Sequence, residues 1–266
     1  MKKIFYLPLI LLLFAITACN DNPDDSSVNI FTVEDDIKLG KQLDDTIMAS
    51  PQQYPVLPRS QYMQAYLHLE RIADSILNSG KVFYAEKFPW TFRIIHDDNT
   101  LNAFATPGGF IYIYTGLIKY LETEDQLAGV LAHEIAHSDR RHTTDMLTKR
   151  YGLELLLAVA LGENSTIIGE IAAGLASLSF SRDAEEEADK YSVIYLCPTT
   201  YEADGAADFF QKIIDQGGGG GAPEFLSTHP NPDNRVQKIQ QEAVNLNCQG
   251  DQTYPSQYQQ FINSLP

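Results

Sequence analysis

The stretch His133-Glu134-Ile135-Ala136-His137 decides how the rest of this sequence is interpreted. Side chains four residues apart on a helix point the same way, so the two imidazoles can bind one metal ion. Zinc binds neutral imidazole nitrogen, and catalytic zinc sites combine three protein ligands with a water molecule. Glu134 is displaced around the helix and would face that water. A carboxylate there can take the water's proton during attack on a peptide carbonyl and pass it to the leaving amine.

The surroundings of this stretch distinguish a metal site from two surface histidines on an ordinary amphipathic helix. The flanking residues are apolar on several faces of the helix: Leu127, Val130, Leu131, Ile135 and Ala136. The histidines therefore lie in a partly buried region, where an unpaired imidazole is costly. The sequence predicts one Zn²⁺ per chain, bound in part by His133 and His137.

A third histidine ligand is not found at the expected place. In one family of zinc enzymes the third ligand is a histidine ten residues after the first histidine. Thr143 occupies that position here. His142 is one residue off and points elsewhere on the same predicted helix, so we interpret it as a structural residue or as a neighbour of a ligand.

An acidic segment further along the chain offers the third ligand instead. Glu185 and Asp189 are four residues apart and share a helix face. One can bind the metal while the other accepts a hydrogen bond from a ligand imidazole, which fixes the tautomer of that histidine. By spacing alone Glu186 or Glu187 could replace Glu185, and a solvated charged face is the alternative to a metal site.

Four signatures resemble those of a known family, and they occur in the following order: Asn102-Ala103-Phe104-Ala105 with Pro107-Gly108-Gly109, His133-Glu134-x-x-His137, Ser181-Arg182-x-x-Glu185-x-x-Ala188-Asp189, and His229-Pro230 with Arg235. The chain resembles the gluzincin zinc metalloendopeptidases related to HtpX, the CAAX prenyl proteases and, most closely, the BepA-like periplasmic proteases. The resemblance covers residues 60–240. BepA-like proteins continue into a helical repeat domain, and we expect none here because no repeat period is found.

The resemblance implies roles for individual residues. His133, His137 and Glu185 would be the zinc ligands, Glu134 the catalytic base and Asp189 the residue that supports a ligand. A substrate would add as a strand to an edge strand that contains the following residues: Asn102, Ala103, Phe104 and Ala105. The substrates would be protein or peptide segments, internal peptide bonds of unfolded or misassembled envelope proteins.

Two further residues would act beside the metal. In BepA-like proteins the histidine that matches His229 can occupy the open position of the zinc and hold the enzyme inactive, since a fourth protein ligand displaces the catalytic water. The glycine run 217–221 would make that loop mobile. Arg235 is a candidate for stabilising the oxyanion or for anchoring the loop.

The pattern along the chain predicts an α+β fold, mostly helical, with a single zincin-like domain and a small antiparallel sheet. Alternating β-branched and aromatic residues indicate strands at 90–95, 103–105 and 110–115. Apolar spacing of three and four predicts helices over the following segments: 33–77, 122–150, 153–161, 167–180, 183–195, 203–214 and 236–246. The apolar segments 153–161 and 167–180 are too short to span a bilayer and contain Glu154 and Glu170, which favours core helices.

The N-terminus predicts export and attachment to a membrane. Residues 1–18 are a basic end followed by an apolar run, typical of a signal peptide, and they precede Cys19 as in bacterial lipoproteins. Acylation of Cys19 would hold the protein on a membrane surface, and residues 19–30 are a polar tether before the metallopeptidase domain 31–266. We expect a bacterial cell-envelope protein, on the outer rather than the inner membrane. A plain cleaved signal peptide with an incidental cysteine is the alternative.

The net charge bears on the possible binding partners, and the cysteines bear on the cellular compartment. Removal of residues 1–18 changes the formal net charge from −16 to −18. This acidity argues against a nucleic-acid partner. Cys197 and Cys248 would lie in an oxidising compartment and could form a disulfide, or remain as two buried thiols.

Two non-enzymatic interpretations stay open on the sequence. The chain could be a zinc-stabilised chaperone or adaptor lipoprotein without catalysis, with His229 as a fourth structural ligand. It could also be a surface adhesin with a degenerate motif, which would bind no stoichiometric metal. A structural zinc site has no need for an acid at Glu134, so that residue favours the enzyme.

Overall fold

The computed structural model describes residues 31–163, 165–216, 224–230 and 234–266. The predicted signal peptide (1–18), the acylated Cys19 with its tether (19–30) and the glycine hinge (217–221) lie outside the described residues. The elements up to the paired histidines are α1 (Val33–Met48), α2 (Met63–Leu77), β1 (Thr91–Ile95), β2 (Ala103–Thr106), β3 (Phe110–Tyr114), α3 (Thr115–Tyr120) and α4 (Glu124–Asp139).

The remaining elements are all helical. They are α5 (His142–Tyr151), α6 (Leu153–Ala160), α7 (Ser165–Gly174), α8 (Arg182–Leu196), α9 (Gly205–Asp215), α10 (Glu224–Thr228), α11 (Arg235–Asn245) and α12 (Pro255–Asn263), with a 3-10 turn at Leu175–Ser177. The prediction of a mostly helical α+β fold with one small sheet is confirmed.

The sheet is mixed, so the prediction of an antiparallel sheet was wrong for one of its two strand pairs. Its order is β1-β3-β2, with β1 parallel to β3 and β2 antiparallel to β3. The connection from β1 crosses the end of β3, where the Gly116 amide donates to the Asp97 carbonyl at 3.0 Å. The chain then enters β2 on the far side and returns through a hairpin at Gly108 and Gly109, both with positive φ. Alternation identifies the strands but does not show which strand lies in the middle.

The central strand β3 is buried on both faces. Ile111 and Ile113 face the core formed with α2, α4, α8 and α9, whereas Phe110, Tyr112 and Tyr114 face a second core formed with α1, α6 and α7. Successive strand residues point to opposite faces, so helical layers on both sides of the sheet explain why all five residues of this strand are apolar.

Helix α4 runs through the centre of the molecule, and all of its residues are buried. The predicted helix 122–150 is instead two helices, because Arg141 adopts the left-handed conformation with φ 59°. Its buried guanidinium donates to Asp36 Oδ2 at 2.6 Å and also contacts the Phe31 carbonyl. This ion pair offsets the conformational cost of a non-glycine residue at positive φ. The spacing of apolar residues in the sequence does not indicate the helix break at Arg141.

The predicted helix 33–77 is also two helices. Residues 49–62 form a connection that contains Pro51, Pro55 and Pro58, and a proline in a helix interior removes a backbone donor and clashes with the preceding turn. The apolar spacing continues across this connection, so the spacing alone could not locate the break.

A disulfide links two segments in the later part of the chain. Cys197 and Cys248 are bonded with an S–S distance of 2.02 Å, which links the end of α8 to the segment after α11.

Within the described residues, no single helix combines the length and apolarity needed to cross a bilayer. One bent pair, Leu153–Ala160 with Ser165–Ser177, meets those criteria when both parts are counted together, with an angle of 106° between them.

Candidate active site

Two packed helices bring the predicted metal ligands together. His133 and His137 lie one turn apart on α4, and Glu185 lies in the first turn of α8. Ser181 caps α8, and its hydroxyl accepts a hydrogen bond from the Ala184 amide at 3.3 Å. Helices α4 and α8 pack against each other, so the Glu185 carboxylate reaches the histidines.

The ligand atoms of four residues converge on one point. His133 Nε2 and His137 Nε2 are 3.0 Å apart. The Glu185 carboxylate oxygens lie 3.4 Å from His137 Nε2 and 3.5 Å from His133 Nε2. His229 Nδ1 is 3.2 Å from His133 Nε2 and 3.0 Å from Glu185 Oε1. These four atoms all lie within 4.8 Å of one another, and all four residues are buried.

This donor set fits a zinc ion. His133 Nδ1 is 3.0 Å from Asp189 Oδ1, and donation to that carboxylate leaves the Nε2 lone pair directed at the cluster. Such a carboxylate behind a histidine is the usual support of a metal-binding imidazole. Two imidazoles and one carboxylate are a donor set that zinc takes in catalytic sites, with a further position left open.

The electrostatics of the cluster favour the binding of a cation. Burial opposes ionisation of Glu185, but electrostatic interaction with His229 and the hydrogen bonds from His133 and His137 hold the pKa of its carboxyl well below the usual range. For His133, burial lowers the pKa, and the hydrogen bonds to Asp189 and Glu185 outweigh burial and raise it to about 9, so a metal ion bound there has to displace a proton from this ring. Burial lowers the pKa of His137 well below its ordinary value. The carboxylates thus supply the negative charge that a divalent ion requires.

Glu134 has no hydrogen-bond partner although it is fully buried. Neither of its carboxylate oxygens accepts a hydrogen bond among the described residues, although His229 Nε2 contacts Oε1 at 3.4 Å. Burial raises the pKa of this carboxyl. Buried polar groups are almost always paired, so an unpaired carboxylate beside a metal-binding cluster indicates a chemical rather than a structural role.

Arg235 lies behind the ligands and holds two carboxylates in place. Its Nη2 donates to Asp189 Oδ1 at 2.7 Å and to Glu185 Oε2 at 3.1 Å. The guanidinium stacks on the Phe210 ring at 3.8 Å from the ring centroid. The sequence left two roles open for Arg235, and these contacts favour the anchoring role. Its Nε and Nη1 atoms have no partner among the described residues.

His142 is a neighbour of His137, which is one of the two interpretations that the sequence allowed. Because the helix restarts at His142 after the break at Arg141, its Nδ1 lies 3.0 Å from His137 Nδ1. Its Nε2 is 3.3 Å from Glu187 Oε2, and Glu187 also accepts a hydrogen bond from Arg140 Nε at 2.7 Å. His142 and Glu187 therefore support His137 much as Asp189 supports His133.

Two aromatic rings beside the cluster were missed by the sequence reasoning. Phe180 stacks on His137 with ring centroids 3.8 Å apart, and Phe225 stacks on His229 at 4.2 Å. Both exclude water and fix imidazole planes. Phe180 directly precedes Ser181, and Phe225 lies four residues before His229. These positions are the only sequence signal, and they do not distinguish the two residues from phenylalanines elsewhere in the chain, which have similar apolar neighbours.

The predicted substrate strand lies at the sheet edge, and other segments cover it. Asn102 precedes β2, whose Ala103, Phe104 and Ala105 are all buried. Asn102 Nδ2 donates to the Ala176 carbonyl at 3.0 Å, and Thr228 Oγ1 donates to Asn102 Oδ1 at 3.2 Å. The predicted helix 167–180 ends at Gly174, and the chain then turns across this edge.

The two covering segments, 175–180 and 225–229, are also bonded to each other and to the core. The Phe180 amide donates to the Thr228 carbonyl at 3.2 Å, and the Phe225 amide donates to the Leu101 carbonyl at 3.0 Å. The 3-10 turn packs against both α10 and β2. The site in this structure is therefore closed, with His229 carried by the second covering segment.

Comparison with known proteins agrees with this geometry. The sequence profile of peptidase family M48 matches residues 64–243. A putative beta-barrel assembly-enhancing protease of Vibrio cholerae is 32% identical over 213 residues, which cover 68% of this chain and 43% of that protein. The beta-barrel assembly-enhancing protease of Escherichia coli (strain K12) is 32% identical over 171 residues, 59% of this chain and 35% of that protein.

A eukaryotic relative shows the same similarity. The mitochondrial metalloendopeptidase OMA1 of Schizosaccharomyces pombe is 28% identical over 185 residues, which cover 68% of this chain and 53% of that protein. The matched region thus spans about half or less of each of these relatives. Since the M48 profile extends over more than half of the chain and includes every residue of the metal-binding cluster, the chain belongs to peptidase family M48.

Proposed function

We propose that this chain is a zinc-dependent endopeptidase that hydrolyses internal peptide bonds of protein substrates. The observation that carries the proposal is the fully buried carboxylate of Glu134, which accepts no hydrogen bond among the described residues, beside four converging ligand atoms. His133, His137 and Glu185 would hold the zinc ion. Zinc bound there would act as a Lewis acid toward a peptide carbonyl and would lower the pKa of water.

Glu134 would perform the proton transfers of hydrolysis. Water adds its oxygen to the carbonyl carbon of the scissile peptide and gives one proton to the Glu134 carboxylate. As the C–N bond breaks, the protonated Glu134 returns that proton to the leaving amine. Its raised pKa, a result of burial, brings the carboxyl closer to neutral pH, where a group that must both accept and donate a proton works best.

Substrate binding would require the covering segments to move. The edge of β2 next to Asn102 is the place where an extended peptide can add as a further strand, through main-chain hydrogen bonds. In the closed structure Asn102 instead bonds to Ala176 and Thr228. Displacement of segments 175–180 and 225–229 would free these groups for a substrate, so we interpret the structure as a latent form.

His229 would hold the latent form closed. Its Nδ1 lies 3.0 Å from Glu185 Oε1, and its ring stacks on Phe225. The imidazole therefore takes the position next to the three ligands that a reacting carbonyl or water needs. Release of His229 would open this position and expose Glu134 at the same time.

The His229→Ala variant is expected to cleave protein faster than the parent. A hydrogen bond to a charged group contributes about 1.5–3 kcal/mol, so loss of the contact with Glu185 shifts the equilibrium toward the open form about 10-fold or more. The measurement is the initial rate of casein cleavage by zinc-loaded protein. His96→Ala, at an exposed histidine, is the control with unchanged rate. A slower His229→Ala enzyme that retains zinc would show that His229 assists catalysis.

Removal of the metal is the direct test of the proposed activity. The purified chain is expected to bind one zinc ion and to degrade unfolded casein. A chelator such as 1,10-phenanthroline should abolish cleavage, and addition of zinc after dialysis should restore it, because the ligands are preformed in the fold. Cleavage that continues after the zinc content has fallen to zero would contradict the proposal.

A zinc-stabilised adaptor without catalysis is the second candidate. One observation favours it: His229 supplies a fourth protein donor, and structural zinc sites have four. An adaptor would bind unfolded protein without cleaving it even after His229→Ala. The unpaired Glu134 has no purpose in such a site, so we favour the enzyme.

We further propose that the protein acts in the bacterial cell envelope, on unfolded or misassembled proteins. Two relatives bear the name beta-barrel assembly-enhancing protease. The lipoprotein pattern at Cys19 supports export and attachment to a membrane surface, with the outer membrane preferred. The disulfide between Cys197 and Cys248 fits an oxidising compartment.

A further inference from the structure

A second group of carboxylates lies at the N-terminal ends of α4 and α9. We call Asp125, Glu202 and Asp208 the acidic cluster. One carboxylate oxygen from each lies within 4.8 Å of the others. Asp125 is in the first turn of α4, Asp208 is in the first turn of α9, and Glu202 is in the loop that precedes α9. On α4 the cluster is two helical turns away from His133, so it is separate from the zinc site.

Asp125 is buried without a hydrogen-bond partner. The residue is 0% exposed, and neither of its carboxylate oxygens accepts a well-aligned hydrogen bond from the described residues. Its neighbour Glu124 is equally buried but accepts hydrogen bonds from Arg71 at 2.7 Å and from the Tyr201 hydroxyl at 2.7 Å. The fold therefore satisfies one of two adjacent buried carboxylates and leaves the other unsatisfied. A buried carboxylate without a well-aligned hydrogen bond is costly, so a cation from outside the chain would stabilise Asp125.

The charges around Asp125 are all negative. In the described part of the chain, no Lys or Arg forms an ion pair with a member of the acidic cluster, and Lys212 of α9 pairs with Glu122. Burial raises the pKa of Asp125 to about 6 against the opposing effect of the nearby Thr123 side chain and Asp125 amide, and repulsion from Glu202 and Asp208 adds to the rise. Burial and repulsion from neighbouring aspartates also raise the pKa of Glu202.

We propose that the acidic cluster binds a calcium ion. Carboxylate oxygens are hard ligands, typical of calcium and magnesium sites. Magnesium is usually bound through one or two carboxylates and keeps several water ligands, whereas calcium takes six to eight oxygen ligands. The three carboxylates that the cluster brings together therefore favour calcium. Asp208 is exposed, so one side of the ion remains open to water ligands, which calcium sites commonly include.

The backbone around the cluster is fixed, so the site is preformed. A Cβ atom at Gly205 would lie 2.4 Å from the Asp125 carbonyl oxygen, and one at Gly129 would lie 2.4 Å from the Ala206 amide nitrogen. Only glycine allows α4 and α9 to approach so closely at both positions. The two helix ends therefore hold Asp125 and Asp208 at a set distance, and little ordering is needed when the ion binds.

Calcium would join α9 and the loop before it to the central helix. Phe209 of α9 contacts Phe225 with ring centroids 5.2 Å apart, and Phe210 stacks under Arg235. Helix α9 thus supports the residues that surround the zinc site. The ion would stabilise this layer of the fold without contact with the zinc ligands, and its effect is measured on stability rather than on catalysis.

The test is thermal unfolding of the zinc-loaded full chain in CaCl₂, MgCl₂ or NaCl at equal ionic strength. Calcium at about a hundredfold excess over its Kd is expected to raise the unfolding midpoint by about 5–10 °C. Asp125→Asn and Glu202→Gln should lose the calcium-specific shift. The charge-matched control Asp74→Asn, at an exposed aspartate of α2, should keep it.

Without calcium, Asp125→Asn is expected to be at least as stable as the parent, because the substitution removes repulsion from a buried site. That result would show that the variant folds and that its lost response reflects lost binding. The proposal is wrong if calcium gives the parent no shift beyond that of NaCl, if magnesium gives the same shift as calcium, or if Asp125→Asn responds as the parent does.

Discussion

Replacement of Glu134 by glutamine is expected to abolish peptide hydrolysis while one zinc ion per chain remains bound. Glutamine keeps the shape of the side chain but cannot take a proton from water, and a general base contributes about 10²- to 10⁴-fold to the rate. The loss should appear in kcat, because the base acts in the transition state rather than in substrate binding. The measurements are casein cleavage, the zinc content of the same sample, and the thermal unfolding midpoint.

The environment of Glu134 makes this test specific. Both carboxylate oxygens lack hydrogen-bond partners among the described residues, so the substitution breaks no hydrogen bond, changes only the 3.4 Å contact with His229, and should leave the fold stable. Glu163→Gln, at an exposed glutamate, removes the same charge and should keep full activity. Full activity of Glu134→Gln would exclude the proposed mechanism, and loss of its zinc would identify Glu134 as a ligand instead.

The central helix could be predicted from the sequence because its signal is local. His133 and His137 are four residues apart, and the helical period alone places them on one face. The predicted strands and most of the later helices likewise lie where alternation or apolar spacing indicates them. These features depend on neighbours along the chain, which the sequence displays directly.

The features that the sequence missed depend on contacts between distant residues. The helix break at Arg141 is stabilised by Asp36 of α1, and this break brings His142 against His137. The parallel pairing of β1 with β3 depends on the path of residues 96–102 across the sheet end. Periodicity carries no information about such contacts, so only the folded structure shows them.

The proposed third ligand could be predicted from the sequence only in part. Spacing placed an acid in the first turns of the helix after Ser181 but did not choose among Glu185, Glu186 and Glu187. The structure separates them by their directions. Glu185 is buried against the histidines, Glu186 pairs with Lys238 at 2.8 Å on the surface, and Glu187 contacts His142. Three successive residues of one helix must point about 100° apart, so one of them at most can be a ligand.

Glutamine substitutions at these three positions are expected to give a graded loss of zinc. Glu185→Gln removes a charged ligand atom, so its zinc affinity should fall more than about 100-fold, beyond the usual effect of a supporting residue. Glu187→Gln weakens only the support of His137 through His142 and should cost about 10-fold. Glu186→Gln changes an exposed ion pair and should leave both zinc affinity and cleavage unchanged. Competition with a chromogenic zinc chelator measures all three affinities.

The order of the three effects tests the geometry more sharply than any single substitution. All three variants lose one negative charge on α8, so a general electrostatic effect of this acidic helix would weaken zinc binding about equally in each. Direct ligation acts only through Glu185, whose oxygens lie 3.4 and 3.5 Å from the two imidazole nitrogens. Equal losses, or a larger loss at Glu187 than at Glu185, would therefore exclude Glu185 as the third ligand and with it the arrangement on which the proposed peptidase activity depends.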